Sequence, residues 1–244
     1  MNLKSLLQVY FLFVSAVSFA QVNVNLDQNA SLWNVCIAQP GCTAGGSVPS
    51  SASVKVVINP TEDETSLMVT ESGGPWANSL NFRNLAATSA NYFKRELDVY
   101  IPTSSYPQLH ALEIDVFAYN APYRFQFGTQ CVTGGVWEGW NDLWNQWVPT
   151  TIPCNLTPGV THHIEEWFHR DPLSSTTCNG KPCAYFDYLG VDHVYQAVGV
   201  KEPASDLPAG WGNQSGVDTQ IDMNALGGTL TVFESHDNLT AFGQ

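Results

Sequence analysis

Basic side chains are scarce in this chain of 244 residues. It contains 9 Lys and Arg against 22 Asp and Glu, which gives a formal net charge of −13 at pH 7. Because nucleic-acid binding rests on Lys and Arg that neutralise phosphates, this composition argues against a nucleic-acid partner. Charged residues of both signs make up 13% of the chain, about half the share in an average soluble domain. The surface must therefore carry many uncharged polar and aromatic side chains.

Long apolar runs are missing after the N-terminus. A membrane-spanning helix needs about 20 consecutive apolar residues, and the longest run, Leu6–Val17, is shorter. This run follows Lys4 and precedes Ser18-Phe19-Ala20, the order of a charged start, an apolar centre and a small-residue cleavage site. The pattern predicts a signal peptide over residues 1–20 and one domain over residues 21–244. We therefore expect a secreted protein, extracellular or periplasmic, with no membrane span.

The chain has no Cys-x-x-Cys pair, and the spacing of its 6 cysteines matches no zinc module. In an exported protein such cysteines form disulfides. Short separations along the chain favour pairing each cysteine with its nearest neighbour, although other pairings stay open. The predicted disulfides are Cys36–Cys42, Cys131–Cys154 and Cys178–Cys183.

Helical periodicity is rare in this sequence, whereas strand-like runs bounded by turn residues recur. The predicted strands are Val54–Ile58, Leu67–Thr70, Tyr92–Ile101, Ala111–Tyr119, Tyr123–Cys131, Trp144–Val148, His162–His169, Ala184–Leu189, His193–Val198 and Gly228–Phe233. A short helix is predicted near Asp218–Leu226. No linker or internal repeat divides the chain. This organisation predicts an all-β fold, a jelly-roll β-sandwich of two antiparallel sheets held by disulfides.

The run Leu112–Tyr119 alternates apolar and other side chains, as a strand does when one of its faces packs in a core. The non-core face of this run combines two acids with two aromatic rings: Glu113, Asp115, Phe117 and Tyr119. Acids that hydrogen-bond hydroxyl groups, beside rings that stack on a pyranose, are typical of a sugar-binding surface. The run Phe93–Ile101 repeats this pattern. If the two strands pair, their acidic faces lie about 5 Å apart.

The strand after Leu112–Tyr119 extends the same surface. It places Arg124, Gln126 and Gln130 on its polar face. The tryptophan-rich segment that follows adds Trp137 and Trp140 as candidate sugar-stacking residues at the rim. A second interpretation assigns about half of these tryptophans to the core, since Trp is highly buried on average.

The segment Leu112–Phe117 resembles the active-site strand of the concanavalin A-like lectin/glucanase superfamily, in particular the retaining endoglucanases of the laminarinase and lichenase group. Their strand reads Glu-x-Asp-x-Glu, or Glu-x-Asp-x-x-Glu with a bulge, with the first Glu as nucleophile and the last as acid/base. The resemblance implies Glu113 as nucleophile and Asp115 as the supporting carboxylate. Phe117 and Ala118 occupy the two positions of the third carboxylate, so that group must come from another strand.

More broadly, the chain is similar to exported jelly-roll proteins of that superfamily found in soil bacteria. The segments that carry this similarity are Phe127–Cys131, Thr161–Ile164 and Thr229–Phe242. It implies a sandwich fold and no particular activity.

Two glutamates are candidates for the missing acid/base, Glu165 and Glu138. Glu165 shares a predicted strand face with His163 and His169, which makes a His/Glu/His metal site conceivable. No companion motif supports it, so we predict no metal site and no cofactor. A structural calcium ion is the exception, for which Asp218 and Asp222 are candidate ligands.

The sequence thus predicts a secreted, monomeric protein that binds a polysaccharide on one concave sheet face. A neutral polysaccharide fits the acidic composition better than an acidic one. The first alternative is a glycoside hydrolase that uses Glu113 with a carboxylate from another strand. The second is a structural or adhesive surface domain without a sugar site.

Overall fold

A computed structural model describes residues 22–27, 29–37, 47–58, 60, 65–141 and 144–243. The predicted signal peptide and Cys42 lie outside these residues. The described strands are β1 Val22–Asn25, β2 Asn34–Cys36, β3 Ser51–Ile58, β4 Thr65–Gly73, β5 Asn78–Leu85, β6 Tyr92–Tyr100, β7 Leu109–Asn120, β8 Tyr123–Val132, β9 Val136–Asn141, β10 Gln146–Pro153, β11 Thr161–Arg170, β12 Cys183–Val191, β13 Val194–Pro203, β14 Ser205–Asp206, β15 Gln214–Met223 and β16 Gly228–Phe242. The described helices are two short 3-10 turns, Ala30–Leu32 and Tyr106–Gln108. None of the described helices is long and apolar enough to span a membrane.

The strands form two sheets whose neighbours all pair antiparallel. The front sheet has the order β10-β9-β8-β7-β15-β5-β2, with β14 paired to β8. The back sheet has the order β13-β12-β11-β6-β16-β4-β3, with β1 paired to β16. This architecture confirms the predicted all-β sandwich of two antiparallel sheets.

The inner faces of the two sheets meet in one apolar core. On β7 the side chains of Leu112, Ile114, Val116 and Ala118 are all fully buried, which confirms the core face predicted from alternation. Aromatic rings from both sheets interlock there: Phe127 of the front sheet lies 5.2 Å from Phe168 of the back sheet, between ring centroids. Burial of these apolar surfaces supplies most of the driving force for folding.

One prediction about a single element is wrong. The segment expected as a short helix near Asp218–Leu226 begins inside β15, which is a central strand of the front sheet. Alternate residues of β15 point into the core and outward, so its period is 2 and not 3.6. The strands β6 and β7 lie in opposite sheets and do not pair, so their acidic faces do not adjoin.

Arg95 of β6 joins the two sheets from inside the core. Its guanidinium donates to both carboxylate oxygens of Asp237, at 3.1 and 3.0 Å. It also donates across the sandwich to the backbone carbonyls of Asp115 and Asp218, at 3.1 and 2.6 Å, and to the Thr219 hydroxyl at 3.0 Å. These five bonds use the full donor capacity of an arginine, so the fully buried charge is well satisfied.

Two of the predicted disulfides are confirmed. Cys131–Cys154 ties β8 to the chain after β10, and Cys178–Cys183 closes the loop before β12; the Cα atoms are 5.2 Å apart in each. Because Cys42 lies outside the described residues, the Cys36–Cys42 pairing stays a prediction.

Candidate functional site

The outer face of the front sheet carries a polar row that crosses four neighbouring strands. Strand register aligns Gln220 of β15 with Glu113 of β7, Glu113 with Gln130 of β8, and Gln130 with Glu138 of β9. The Gln130 amide donates a hydrogen bond to the Glu138 carboxylate. At about 4.8 Å between strands, the row spans about 14 Å. Amide and carboxyl groups therefore alternate along a line across the sheet.

A second row, one step along the strands, holds two buried acids. Asp115 and Asp218 are aligned on β7 and β15 and are 2% and 5% exposed. The Asp115 carboxylate accepts hydrogen bonds from the Thr129 backbone N–H at 2.9 Å and from the Gln126 amide at 3.4 Å. In Asp218, the carboxylate oxygen Oδ1 has no hydrogen-bond partner. The two carboxyl groups lie within hydrogen-bonding reach of each other.

Burial and mutual repulsion favour protonated acids on this face. Burial, and then the nearby charges of Asp222 and Asp218, raise the pKa of Glu113 well above its ordinary value. Burial, and then the neighbouring carboxylates, act in the same direction on the pKa values of Asp115 and Asp218. Burial raises the pKa of Asp222 to about 7. These acids therefore take up a proton more readily than exposed carboxyl groups do, and a protonated carboxyl can donate as well as accept a hydrogen bond.

Tryptophan rings border these rows on one side. Trp140 and Trp147 are half-buried on the outer face, edge to face, with ring centroids 5.2 Å apart. Gly128 allows this packing, because a Cβ at that position would lie 2.8 Å from the Trp140 Cβ and 3.3 Å from Asp115 Oδ1. Trp137, predicted at the rim, is instead fully buried in the core, since it faces inward beside Cys131.

The two rings expected on the exposed face are covered. Phe117 and Tyr119 are 4% and 8% exposed, and they stack on each other at 4.9 Å. Phe117 packs against Gly216, where a Cβ would lie 2.3 Å from its ring. Trp211, from the loop between β14 and β15, contacts Tyr119 at 5.3 Å. The prediction that both rings are open to a ligand is therefore wrong.

The remaining predicted residues divide between the face and its edge. Gln126, Gln130 and Glu138 lie on the outer face with Glu113 and Asp115. Arg124 is half-buried beside Tyr119, at the end of β8 where β14 pairs. Asp218, a predicted candidate calcium ligand, belongs to the acidic cluster. Gln220 was missed, although the alternation along β15 was a signal that could have placed it on this face.

Glu165 cannot be the partner of Glu113. It lies on β11 of the back sheet and points to the opposite outer surface, with two sheets about 10 Å apart between them. There it accepts from Lys94 at 2.8 Å and from the Tyr195 hydroxyl. Burial acts to raise the pKa of Glu165, but these two donors and the charge of Lys94 lower it overall. Glu165 is therefore an ionised group of a different surface.

The structure also separates the other proposed metal ligands. His169 is paired with Asp187 at 2.7 Å and stacks on Tyr185 at 4.0 Å, so it does not join Glu165. Within the described part of the chain, Asp218 and Asp222 belong to no group of three candidate ligands that lie within 4.8 Å of one another. The calcium ion remains a prediction.

The outer face of the back sheet carries an open groove of about 640 Å³. Its walls include Tyr92, Lys94, Glu96, Trp167 and Phe242. Tyr92 and Phe242 stack at 5.5 Å, and Lys94 lies over the Trp167 ring at 5.2 Å. This groove is built from strands that do not contribute to the polar row.

No protein-family model matches the sequence, and no curated protein matches it. Solved structures match it in architecture. A Chlorella virus alginate lyase is 6% identical, with 87% of this chain and 94% of that chain covered and a TM-score of 0.49. An endo-1,3-beta-glucanase from Streptomyces sioyaensis is 11% identical, with 92% and 97% covered and a TM-score of 0.45.

Two further matches are to longer chains. Carbohydrate-binding modules of a beta-sandwich superfamily are 8% identical over 89% of this chain, at a TM-score of 0.44, and the chain spans 59% of their length. It spans 18% of a sialidase. At this distance the likeness carries no argument about ligand or activity.

Proposed function

We propose that the outer face of the front sheet binds a neutral polysaccharide. The observation that carries this proposal is the polar row Gln220–Glu113–Gln130–Glu138, which crosses four strands at regular intervals. The carboxyl groups of Glu113 and Glu138 are half-buried, and they alternate with the amides of Gln220 and Gln130, which are 5% and 7% exposed. Sugar hydroxyls both donate and accept hydrogen bonds, so they can pair with the amides, which also do both, and with the carboxyl groups, which accept. Trp140 and Trp147 beside the row supply aromatic surface for the apolar face of a pyranose.

The raised pKa values of the cluster favour an uncharged ligand. Burial raises the pKa values of Glu113, Asp115 and Asp218, so these groups resist ionisation. A uronate would bring its own negative charge next to carboxyl groups that already resist ionisation. The two rows contain neither Lys nor Arg to offset that charge, and Arg124 lies at the opposite end of β8 from Gln130, beside Tyr119. A neutral glucan, xylan or mannan is the better fit.

We also propose that the protein acts outside the cytoplasm as a monomer. Two disulfides are consistent with an oxidising compartment. The signal peptide predicted over residues 1–20 would supply the route.

The test is retention on a panel of insoluble and soluble glucans, xylans and mannans. We expect Trp140→Ala to weaken retention several-fold, since an aromatic stacking contact contributes about 0.5–1.5 kcal/mol. Trp167→Ala is the matched control, because Trp167 is also half-buried but lies on the back sheet. Equal losses in both variants, or retention that neither variant changes, would refute the assignment to this face.

A second candidate function is glycoside hydrolysis at the same face. It is favoured by the raised pKa of Glu113, which suits a proton donor, whereas the resemblance implied a nucleophile. Glu138 lies two strands away, about 10 Å between Cα atoms, and inverting enzymes place their carboxyl groups about 6.5–9.5 Å apart. Release of reducing ends that Glu113→Gln abolishes would establish hydrolysis. Retention without release would indicate a binding protein. If the chain shows no retention and no release, the structural or adhesive domain is the interpretation that remains.

A further inference from the structure

Three candidate metal ligands meet on the outer face of the back sheet, away from the polar row. His163 and Glu165 alternate on β11, and His193 lies in the turn between β12 and β13. One ligand atom from each lies within 4.8 Å of the other two. His163 Nε2 and Glu165 Oε1 are 3.5 Å apart. Ligands bonded at about 2.0–2.1 Å to a tetrahedral ion stand about 3.4 Å from each other, so this pair already has the required spacing.

Asp98 fixes the orientation of the His163 ring. Its carboxylate is 2.6 Å from His163 Nδ1, which leaves Nε2 directed toward Glu165. In a metal-bound histidine, the ring nitrogen that does not bind the metal usually donates a hydrogen bond to a carboxylate. This contact sets the orientation of the imidazole ring and raises the basicity of the ligating nitrogen. The other Asp98 oxygen is 2.6 Å from His236 Nδ1, so the carboxylate itself is held in place.

The β12–β13 turn places His193 against this ring. Asp192 accepts from the His163 backbone N–H at 3.0 Å and pairs with His162 at 2.8 Å, which ties the turn to β11. Asp192 and His193 both have positive φ, 50° and 64°. The His193 and His163 rings are 5.0 Å apart between centroids. His193 is exposed, so a small side-chain rotation can close the remaining distance to an ion.

Glu165 is the anchored member of the trio. It is 6% exposed, and Lys94 holds its Oε2 at 2.8 Å while Oε1 faces His163. The Tyr195 hydroxyl donates to the same Oε1 and can remain as an outer hydrogen bond when that oxygen binds an ion. The surroundings are acidic, with Asp98, Asp192 and Glu96 near one lysine, which favours a cation.

From this geometry we propose that His163, Glu165 and His193 bind one divalent transition-metal ion of the zinc class. Two imidazoles and one carboxylate are the donor set that Zn²⁺ takes in sites with three protein ligands. The back-sheet groove adjoins this site, because Lys94 lines the groove and also contacts Glu165 at 2.8 Å.

Calorimetric titration with ZnCl₂ tests the proposal on the full mature chain, produced without a polyhistidine tag and stripped with chelator. We expect one Zn²⁺ per chain. His193→Asn and Glu165→Gln should each abolish stoichiometric binding, and asparagine is suitable at 193 because it tolerates positive φ. Asp98→Asn should weaken binding about 10–100-fold, as loss of an outer carboxylate does.

His169→Asn is the matched control, since His169 lies on the same strand and face but pairs with Asp187. It should bind Zn²⁺ as the unmodified chain does. The proposal is overturned if the unmodified chain takes up no stoichiometric Zn²⁺, if His193→Asn binds it unchanged, or if His169→Asn loses it equally. Should Glu165→Gln fail to fold, His193→Asn on the exposed turn decides the matter alone. None of these results depends on whether the front face binds a polysaccharide.

Discussion

Replacement of Arg95 by methionine should destabilise the protein more than most single substitutions. The guanidinium is fully buried and makes five hydrogen bonds, two of them to the Asp237 carboxylate. Glu234 lies 3.8 Å from the same charge. Methionine fills a similar volume but leaves Asp237 and Glu234 without their cation. The perturbation therefore isolates the loss of a buried ionic network.

The expected cost follows from the contacts. Hydrogen bonds to a charged group contribute about 1.5–3 kcal/mol each, so the two bonds to Asp237 alone give at least about 3 kcal/mol. Removing one partner of a buried ion pair costs about 3–5 kcal/mol in total. For a chain of this size, that corresponds to a fall in Tm of about 6–20 °C.

Urea unfolding followed by circular dichroism and tryptophan fluorescence measures this cost. Arg95→Lys should recover little of it, because an ammonium cannot reproduce the planar fork of five donors. Arg95→Met combined with Asp237→Asn should be less destabilised than the sum of the single variants, since the second change removes the orphaned charge. A loss below about 1 kcal/mol in Arg95→Met would refute the view that this network joins the sheets.

Other predictions concern pH, packing and the disulfides. Burial raises the pKa of Glu166 to about 8 and that of Glu71 to about 7. Glutamate in the unfolded chain is ionised above about pH 4.5. Between about pH 4.5 and 8 the folded state therefore binds more protons than the unfolded chain. The free energy of unfolding should therefore fall by a few kcal/mol from pH 5 to pH 8; a flat or rising urea midpoint would contradict this. Gly216→Ala should cost about 1–3 kcal/mol through overpacking, because its Cβ would lie 2.3 Å from the Phe117 ring and 2.4 Å from the Arg83 carbonyl. Gly212→Ala is the control: a Cβ there meets open space, so this variant should be nearly neutral in the same urea assay. Removing the Cys131–Cys154 disulfide should cost about 3.5 kcal/mol and removing Cys178–Cys183 about 2 kcal/mol, because the first closes the longer loop. Thermal unfolding of the two paired Cys→Ala variants measures which loss is larger. A larger loss for Cys178–Cys183 would be inconsistent with loop entropy.

The structural features that could be predicted from the sequence are those that depend on a local residue pattern. Strand period alone identified the buried side chains of Leu112, Ile114 and Val116, and short cysteine separations identified two disulfides. The same period could have shown that Trp137 and Trp140, three residues apart, face opposite sides of β9. The prediction that Trp137 lies at the rim is wrong for this reason.

Features that depend on long-range topology were out of reach. Glu165 and Glu113 lie in different sheets because β6 and β11 pair in the back sheet, which no local pattern reveals. Trp211 covers Tyr119 from 92 residues further along the chain, so alternation on β7 could not distinguish an open ring from a covered one. The row Gln220–Glu113–Gln130–Glu138 likewise exists only through the register of three strand pairs.

Ligand binding at the front face is tested most directly by the indole N–H resonances of the 8 tryptophans. A ¹⁵N-labelled chain is titrated with soluble glucan, xylan and mannan oligosaccharides, and each indole signal is assigned by Trp→Phe substitution. We predict that an oligosaccharide that binds shifts the signals of Trp140 and Trp147 and leaves Trp167 and the buried Trp137 in place. Shifts confined to Trp167, or no shift with any of these sugars, would contradict the central claim.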